Sequence, residues 1–159
     1  MSTRSDRTHT AILDAAWKLL SKGETARLED VASEAGVSRQ ALYLHFRSRS
    51  GLLVELVEHM DQKLGLPQLL GEIDRAETPE EALLAGLRVT ARYAPKIQAV
   101  GMALSRMAET DADAHAAFWN RMDKRRRGIR AALRAIADRG MLRPEWTVDR
   151  ATDALWAAG

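Results

Sequence analysis

The sequence predicts an all-α chain, and three observations carry that prediction. Ala, Leu, Arg and Glu are abundant while β-branched residues are sparse and aromatics make up only 5%, a bias towards residues that lose little side-chain freedom in a helix. Apolar residues recur three or four positions apart through most of the chain, the spacing of a buried helical stripe. Helix starts such as Ser38 and Thr78-Pro79-Glu80-Glu81, and stops such as Gly23, Gly36 and Gly140, punctuate those stripes. Helices before about Phe46 look short and those after Ser50 look long, which predicts a small head and a larger body.

Met1 to Asp6 is polar and expected to fray. From Thr8, residues Ile12, Ala15, Ala16, Leu19 and Leu20 mark a first helix closed by Gly23. Leu28, Val31, Ala32 and Ala35 mark a short second helix with Thr25 as its cap. Gly36 is the turn residue, because a positive φ costs glycine nothing. Ser38 caps a third helix ending near Phe46, and Ser50 is the expected cap of a fourth carrying Leu53, Leu56, Val57 and Met60.

Gly65, Pro67 and Gly71 break the pattern. Thr78-Pro79-Glu80-Glu81 then starts a helix that Pro95 is expected to end or kink, with another from about Ile97 to Met107. A long helix follows from about Asp113 to Ala137, closed by Gly140, and Thr147 caps a last one. That helix reaches Gly159 with Leu155 and Trp156 on an apolar face and no cap, so a longer natural chain is expected.

The absence of cysteine excludes disulfides, thiolate zinc sites and cysteine nucleophiles, and fits a cytoplasmic protein. No segment approaches the ~18 uninterrupted apolar residues of a membrane span. The net charge of +2 is too small to indicate a nucleic-acid partner, so local clustering must carry that argument.

The stretch "EDVASEAGVSRQALYLHFRSRSGLL", residues 29–53, supplies it. Ala32 and Gly36 are small residues where two helices of a helix-turn-helix cross, and Val37 and Leu42 pin the second helix to the first. Arg39, Gln40, Tyr43 and Leu44 are left facing outward, at the end of a helix that can enter a major groove. Arg suits a bidentate contact to guanine and Gln one to adenine. Tyr43, His45 and Arg49 gather towards the far end and the following loop, where phosphates would lie. No acidic residue occurs between Glu34 and Glu55, so Arg39, Arg47 and Arg49 form a local cationic patch.

"ILDAAWKLLSKGETARLEDVASEAGVSRQALYLHFRSRSGLL" resembles the N-terminal domain of tetracycline-repressor (TetR) family regulators. The Ala-Ala pair of the first helix, "DVA..AGVS", "LY.HF" and a basic residue three after the Phe carry the resemblance. It covers roughly the first third of the chain. It implies DNA contacts at Tyr43 and His45, base reading at Arg39 and Gln40, and a phosphate contact at Arg49, where the family usually has Lys. Arg27 stands where a Ser or Thr commonly caps the second helix and can itself reach a phosphate. Leu44 is apolar where many relatives are polar or aromatic, and can pack on a thymine methyl. The implied organisation is a helix-turn-helix domain over residues 1–49, then a helical effector-binding and dimerisation bundle over 50–159, incomplete at its C-terminus.

In the body, Trp119, Met122, Ile129, Leu133 and Ile136 form one stripe of the long helix, interrupted by Arg126. An Arg there pairs with a carboxylate, reaches out to water, or meets an anionic group of a ligand. Tyr93, Met102, Met107, Phe118 and Trp119 are candidates to line a mixed or apolar effector cavity with Arg126, core packing being the alternative for each. Asp111, Asp113 and His115 alternate like metal ligands, but they fall at a helix start, where acids cap. Glu55 and His59, four apart, read as a side-chain pair.

These features predict a regulator rather than an enzyme, with no cofactor and no metal. Its expected partners are a palindromic double-stranded DNA operator, a small-molecule effector and a second copy of the chain. The alternative, a helical adaptor that binds protein, leaves the acid-free cationic stretch unexplained.

Overall fold

The computed structural model describes residues 3–23 and 26–157. Eight helices and no strand occur among them: α1 (Arg4–Ser21), α2 (Leu28–Glu34), α3 (Arg39–His45), α4 (Arg49–Lys63), α5 (Leu66–Asp74), α6 (Pro79–Met107), α7 (Ala112–Asp138) and α8 (Val148–Ala157). The chain divides into two compact units, Met1–Asp61 with Ile97–Phe118 and Gln62–Lys96 with Trp119–Gly159. No helix is long and apolar enough to cross a membrane among the described residues.

In the first unit, α1 packs on α2 and α2 on α3. Ile12 and Ala16 of α1, Val31 of α2, Leu42 of α3 and Leu52, Leu53, Leu56 and Met60 of α4 are all buried. The expected fraying of Met1 to Asp6 is corrected for residues 3–6, Met1 and Ser2 lying outside the described residues. Thr3 Oγ1 accepts from the Asp6 N–H at 3.1 Å, and the Asp6 carboxylate accepts from the Thr3 N–H at 2.9 Å. This reciprocal box satisfies two end groups of α1 and starts the helix four residues earlier than its apolar stripe.

Three more expectations change. Ser48, not Ser50, caps α4, its Oγ accepting from the Gly51 N–H at 3.1 Å. Ser50 is buried and its Oγ lies 3.0 Å from that of Ser48. The segment of Gly65, Pro67 and Gly71 is not a break but the start and middle of α5. Gly65 is the N-cap at φ 69°, and Pro67 sits in the first turn, where a missing N–H costs nothing. Pro95 does not end its helix either. α6 runs unbroken past it, because Pro removes a single hydrogen bond while Val89, Tyr93, Val100 and Leu104 on either side are all buried.

The remaining caps stand where expected. Thr78 Oγ1 accepts from the Glu81 N–H at 3.2 Å and Thr147 Oγ1 from the Arg150 N–H at 3.2 Å. Asp111 caps α7 through the Ala114 N–H at 2.9 Å. That bond, with weaker help from the Ser50 hydroxyl and the Asp113 backbone, holds the Asp111 carboxyl below the usual carboxylate range. Gly140 closes α7 at φ 69°, with the Met141 N–H on the Ile136 carbonyl and the Gly140 N–H on that of Ala137.

Candidate nucleic-acid interface

The corner between α2 and α3 is built by a few short-range bonds. The Val37 N–H reaches the Ala32 carbonyl at 3.0 Å and the Gly36 N–H that of Ser33 at 3.2 Å, the paired closure of a Schellman turn. Gly36 sits in it at φ 67°, a conformation that costs other L-residues about 1–2 kcal/mol. Ser38 Oγ then accepts from the Ala41 N–H at 3.1 Å and opens α3. Ala32 is buried at the crossing, and Leu42 on the inner face of α3 is only 1% exposed.

With Leu42 inside, the helical period turns the next positions out. Arg39 and Gln40 are exposed. Tyr43 is 47% exposed and Leu44 81%, an unusual openness for a leucine on a well-packed head. His45 is half-buried, its ring tilted against His9 at 5.6 Å between centroids.

Arg27 and Arg49 flank this surface. Arg27 is the N-cap of α2 but makes no capping bond with its side chain, which is exposed. The Thr25 cap expected for α2 lies outside the described residues. Arg49 Nε donates to the Ala26 carbonyl at 3.0 Å, tying the start of α4 to the entry of α2. That bond uses one of five guanidinium N–H groups, so the planar end of the side chain is positioned but not consumed.

The sequence reading missed how α4 is held. Glu55 and His59 do not pair with each other. His9 Nε2 meets Glu55 at 2.8 Å and His59 Nε2 meets Asp14 at 2.7 Å, two crossed ties between α1 and α4. The signal was available, since His9 falls in phase with Ile12, Leu13 and Ala16 on the inner face of α1. Lys18 and Glu34 form a further ion pair between α1 and α2, which lowers the Glu34 carboxyl below its usual range.

The six expected effector-contacting residues divide equally between the units. Met102, Met107 and Phe118 belong to the first, and Tyr93, Trp119 and Arg126 to the second. Met102 and Trp119 are each 52% exposed. Tyr93 is buried, and its hydroxyl accepts from Arg121 Nη2 at 2.9 Å, an arginine the sequence reading did not single out. Arg126 meets Asp153 at 2.5 Å. It lines an open groove of about 500 Å³ between α7 and α8, where Arg126, Arg127 and Arg130 alternate with Asp123, Asp149 and Asp153.

Comparison with known proteins converges on the same region. Residues 12–56 match the family of bacterial regulatory proteins called the tetR family. Over 55 residues the chain is 42% identical to the HTH-type transcriptional repressor LfrR of Mycolicibacterium smegmatis, an alignment spanning 35% of this chain and 29% of that repressor. A transcriptional regulator from Saccharomonospora viridis, solved in complex with choline, superposes with a TM-score of 0.77 at 21% identity, covering 94% of this chain and 79% of that one. FadR from Bacillus subtilis, solved with stearoyl-CoA, gives a TM-score of 0.69 at 15% identity over 92% of this chain and 80% of its own. At such identities the two structural likenesses establish the fold alone.

Proposed function

We propose that this chain, whose head belongs to the tetR family of bacterial regulatory proteins, is a transcriptional repressor that binds a palindromic operator as a homodimer in the cytoplasm. A small-molecule effector releases it. One observation carries the reading: Arg39, Gln40 and Tyr43 stand exposed on a short helix fixed by a glycine turn, in a stretch free of acidic residues. Surface of that composition has no packing role and fits a major groove.

Arg39 and Gln40 read base edges, with Leu44 against a thymine methyl. Tyr43, His45, Arg27 and Arg49 hold phosphates. The effector site belongs to the helices after Gly65, and the buried Tyr93 hydroxyl with its Arg121 partner supplies a polar contact there. Choline and stearoyl-CoA in structures of this fold make a bound small molecule a reasonable occupant of this one.

The test is selection of duplexes from a random-sequence pool, followed by gel shifts at two salt concentrations. Affinity for the selected duplex is expected to fall steeply with salt, with a slope of about −0.9 per phosphate contact. Arg39→Ala is expected to relax sequence preference, and Arg49→Ala to weaken all sequences alike and flatten the slope. If no duplex is enriched, the repressor reading fails and the protein-binding adaptor takes its place.

A further inference from the structure

We infer that His9, on α1 and outside the proposed DNA-reading positions of α3, is a positioning residue for the recognition helix and makes its placement sensitive to pH. The inference rests on the DNA-binding reading above. It starts from a cluster at the α3–α4 corner of the first unit. The His9 ring lies on that of Phe46, 4.8 Å between centroids and 25° from parallel, and 5.6 Å from that of His45. Its Nε2 is 2.8 Å from the Glu55 carboxylate.

Phe46 is the C-cap of α3 and is only 2% exposed. It is therefore the point at which the recognition helix ends and the chain turns towards α4. His9 is the side chain from α1 that covers this point with its face and holds α4 with its edge. A shift of His9 moves the Phe46 ring and with it the Tyr43–His45 turn just before it.

The groups around His9 give its charge a direction. Glu55 on α4 is its partner, and Asp6 stands one turn away on α1. Asp6 is held below the usual carboxylate range mainly by its Thr3 backbone and side-chain bonds, with a smaller pull from positive charge on His9. His45 on α3 is a second imidazole beside it, 5.6 Å away between ring centroids. A carboxylate only accepts, so Nε2 donates to Glu55 whether His9 is neutral or charged, and protonation turns the tie into a full ion pair. Imidazole is the side chain that changes charge between about pH 5 and pH 8. The recognition helix is thus held more firmly at the acid end of that range.

The experiment uses the full chain and the duplex selected as above. Wild type is expected to bind about fivefold tighter near pH 6 than near pH 8. His9→Phe keeps a ring on Phe46 but loses the tie, and the pH ratio should fall to about twofold or less. Glu55→Gln, which keeps the shape, should do the same. His45→Asn should weaken binding at both pH values but leave the Ala41–Phe46 amides following His9. Retention of the wild-type ratio in His9→Phe or in Glu55→Gln overturns the inference. A second readout needs no DNA: the backbone amide shifts of Ala41–Phe46 should titrate in step with the His9 ring in wild type and stay still in His9→Phe. If no duplex is selected but those amides follow His9, the repressor reading fails and the positioning stands. If they ignore His9, the positioning fails whatever binds.

Discussion

A Cβ added at Gly36 would meet nothing within 4 Å, and neither would one added at Gly101. Sterically the two positions are alike, and both belong to the first unit. Their backbones differ. Gly36 turns the chain at φ 67°, whereas Gly101 lies inside α6 at ordinary helical angles. Gly36→Ala should therefore cost only the left-handed strain, about 1–2 kcal/mol. Gly101→Ala removes unfolded-state freedom from a helix interior and should gain about 0.5–1 kcal/mol. In a chain of this size each kcal/mol moves the melting temperature by roughly 2–4 °C. Thermal and urea unfolding of the two variants should thus give shifts of opposite sign. Gly36→Asn should lie near wild type, since Asn enters the left-handed region more readily. If both alanine variants shift the same way, the turn is not held by its dihedral angle, and the geometry argued for the α2–α3 corner is wrong.

Two further outcomes follow from the caps. Ser38→Ala removes the bond to the Ala41 N–H and should cost about 1 kcal/mol, seen as a lower urea midpoint, with faster amide exchange confined to the start of α3; unchanged exchange there would count against the cap. Asp6, Glu34 and Asp111 have carboxyls lowered by folding, so their contribution is fully present above the unfolded carboxylate range and lost as pH falls through the lower folded values. The stability difference between wild type and Asp111→Asn should be constant above about pH 5 and shrink under acid; a difference that grows on acidification would refute the assignment.

The parts of this fold that a reader of the sequence can find are those settled within one helical turn. Ser38, Thr78, Asp111 and Thr147 each bond an amide three positions on. The Gly36 turn is closed by the Gly36 N–H on the Ser33 carbonyl and the Val37 N–H on that of Ala32. Such contacts depend on spacing and residue type, both visible in a string of letters. Ser48 and Ser50 show where that visibility ends. Two serines two apart offer the same cap, and only burial decides that Ser50 faces inward. Pro95 shows the same limit from the other side. A local rule ends the helix there, and burial on both flanks overrides it. The ties from His9 to Glu55 and from Asp14 to His59 span 46 and 45 residues. The i,i+4 rule instead pairs Glu55 with His59, because local phase can place His9 on the inner face of α1 but cannot name its partner on α4.

Leu44 shows why the candidate nucleic-acid surface is more legible than the proposed effector site. An exposed leucine alone means little, since much of any protein surface is apolar. At 81% exposure it gains meaning from its neighbours: Arg39, Gln40 and Tyr43 share the outward side of one short helix, whose inner side is fixed by Leu42. The buried stripe assigns the outer residues by elimination, and their shared chemistry does the rest. No such elimination works for Tyr93, Met102 or Trp119. Met and aromatic residues satisfy a core and a cavity equally well, and their spacing along α6 and α7 is that of either. What separates the two cases is polarity that spacing alone can place on an outer face; in the body the polar contact of Arg121 with the Tyr93 hydroxyl, 28 positions earlier, is made only by the folded chain.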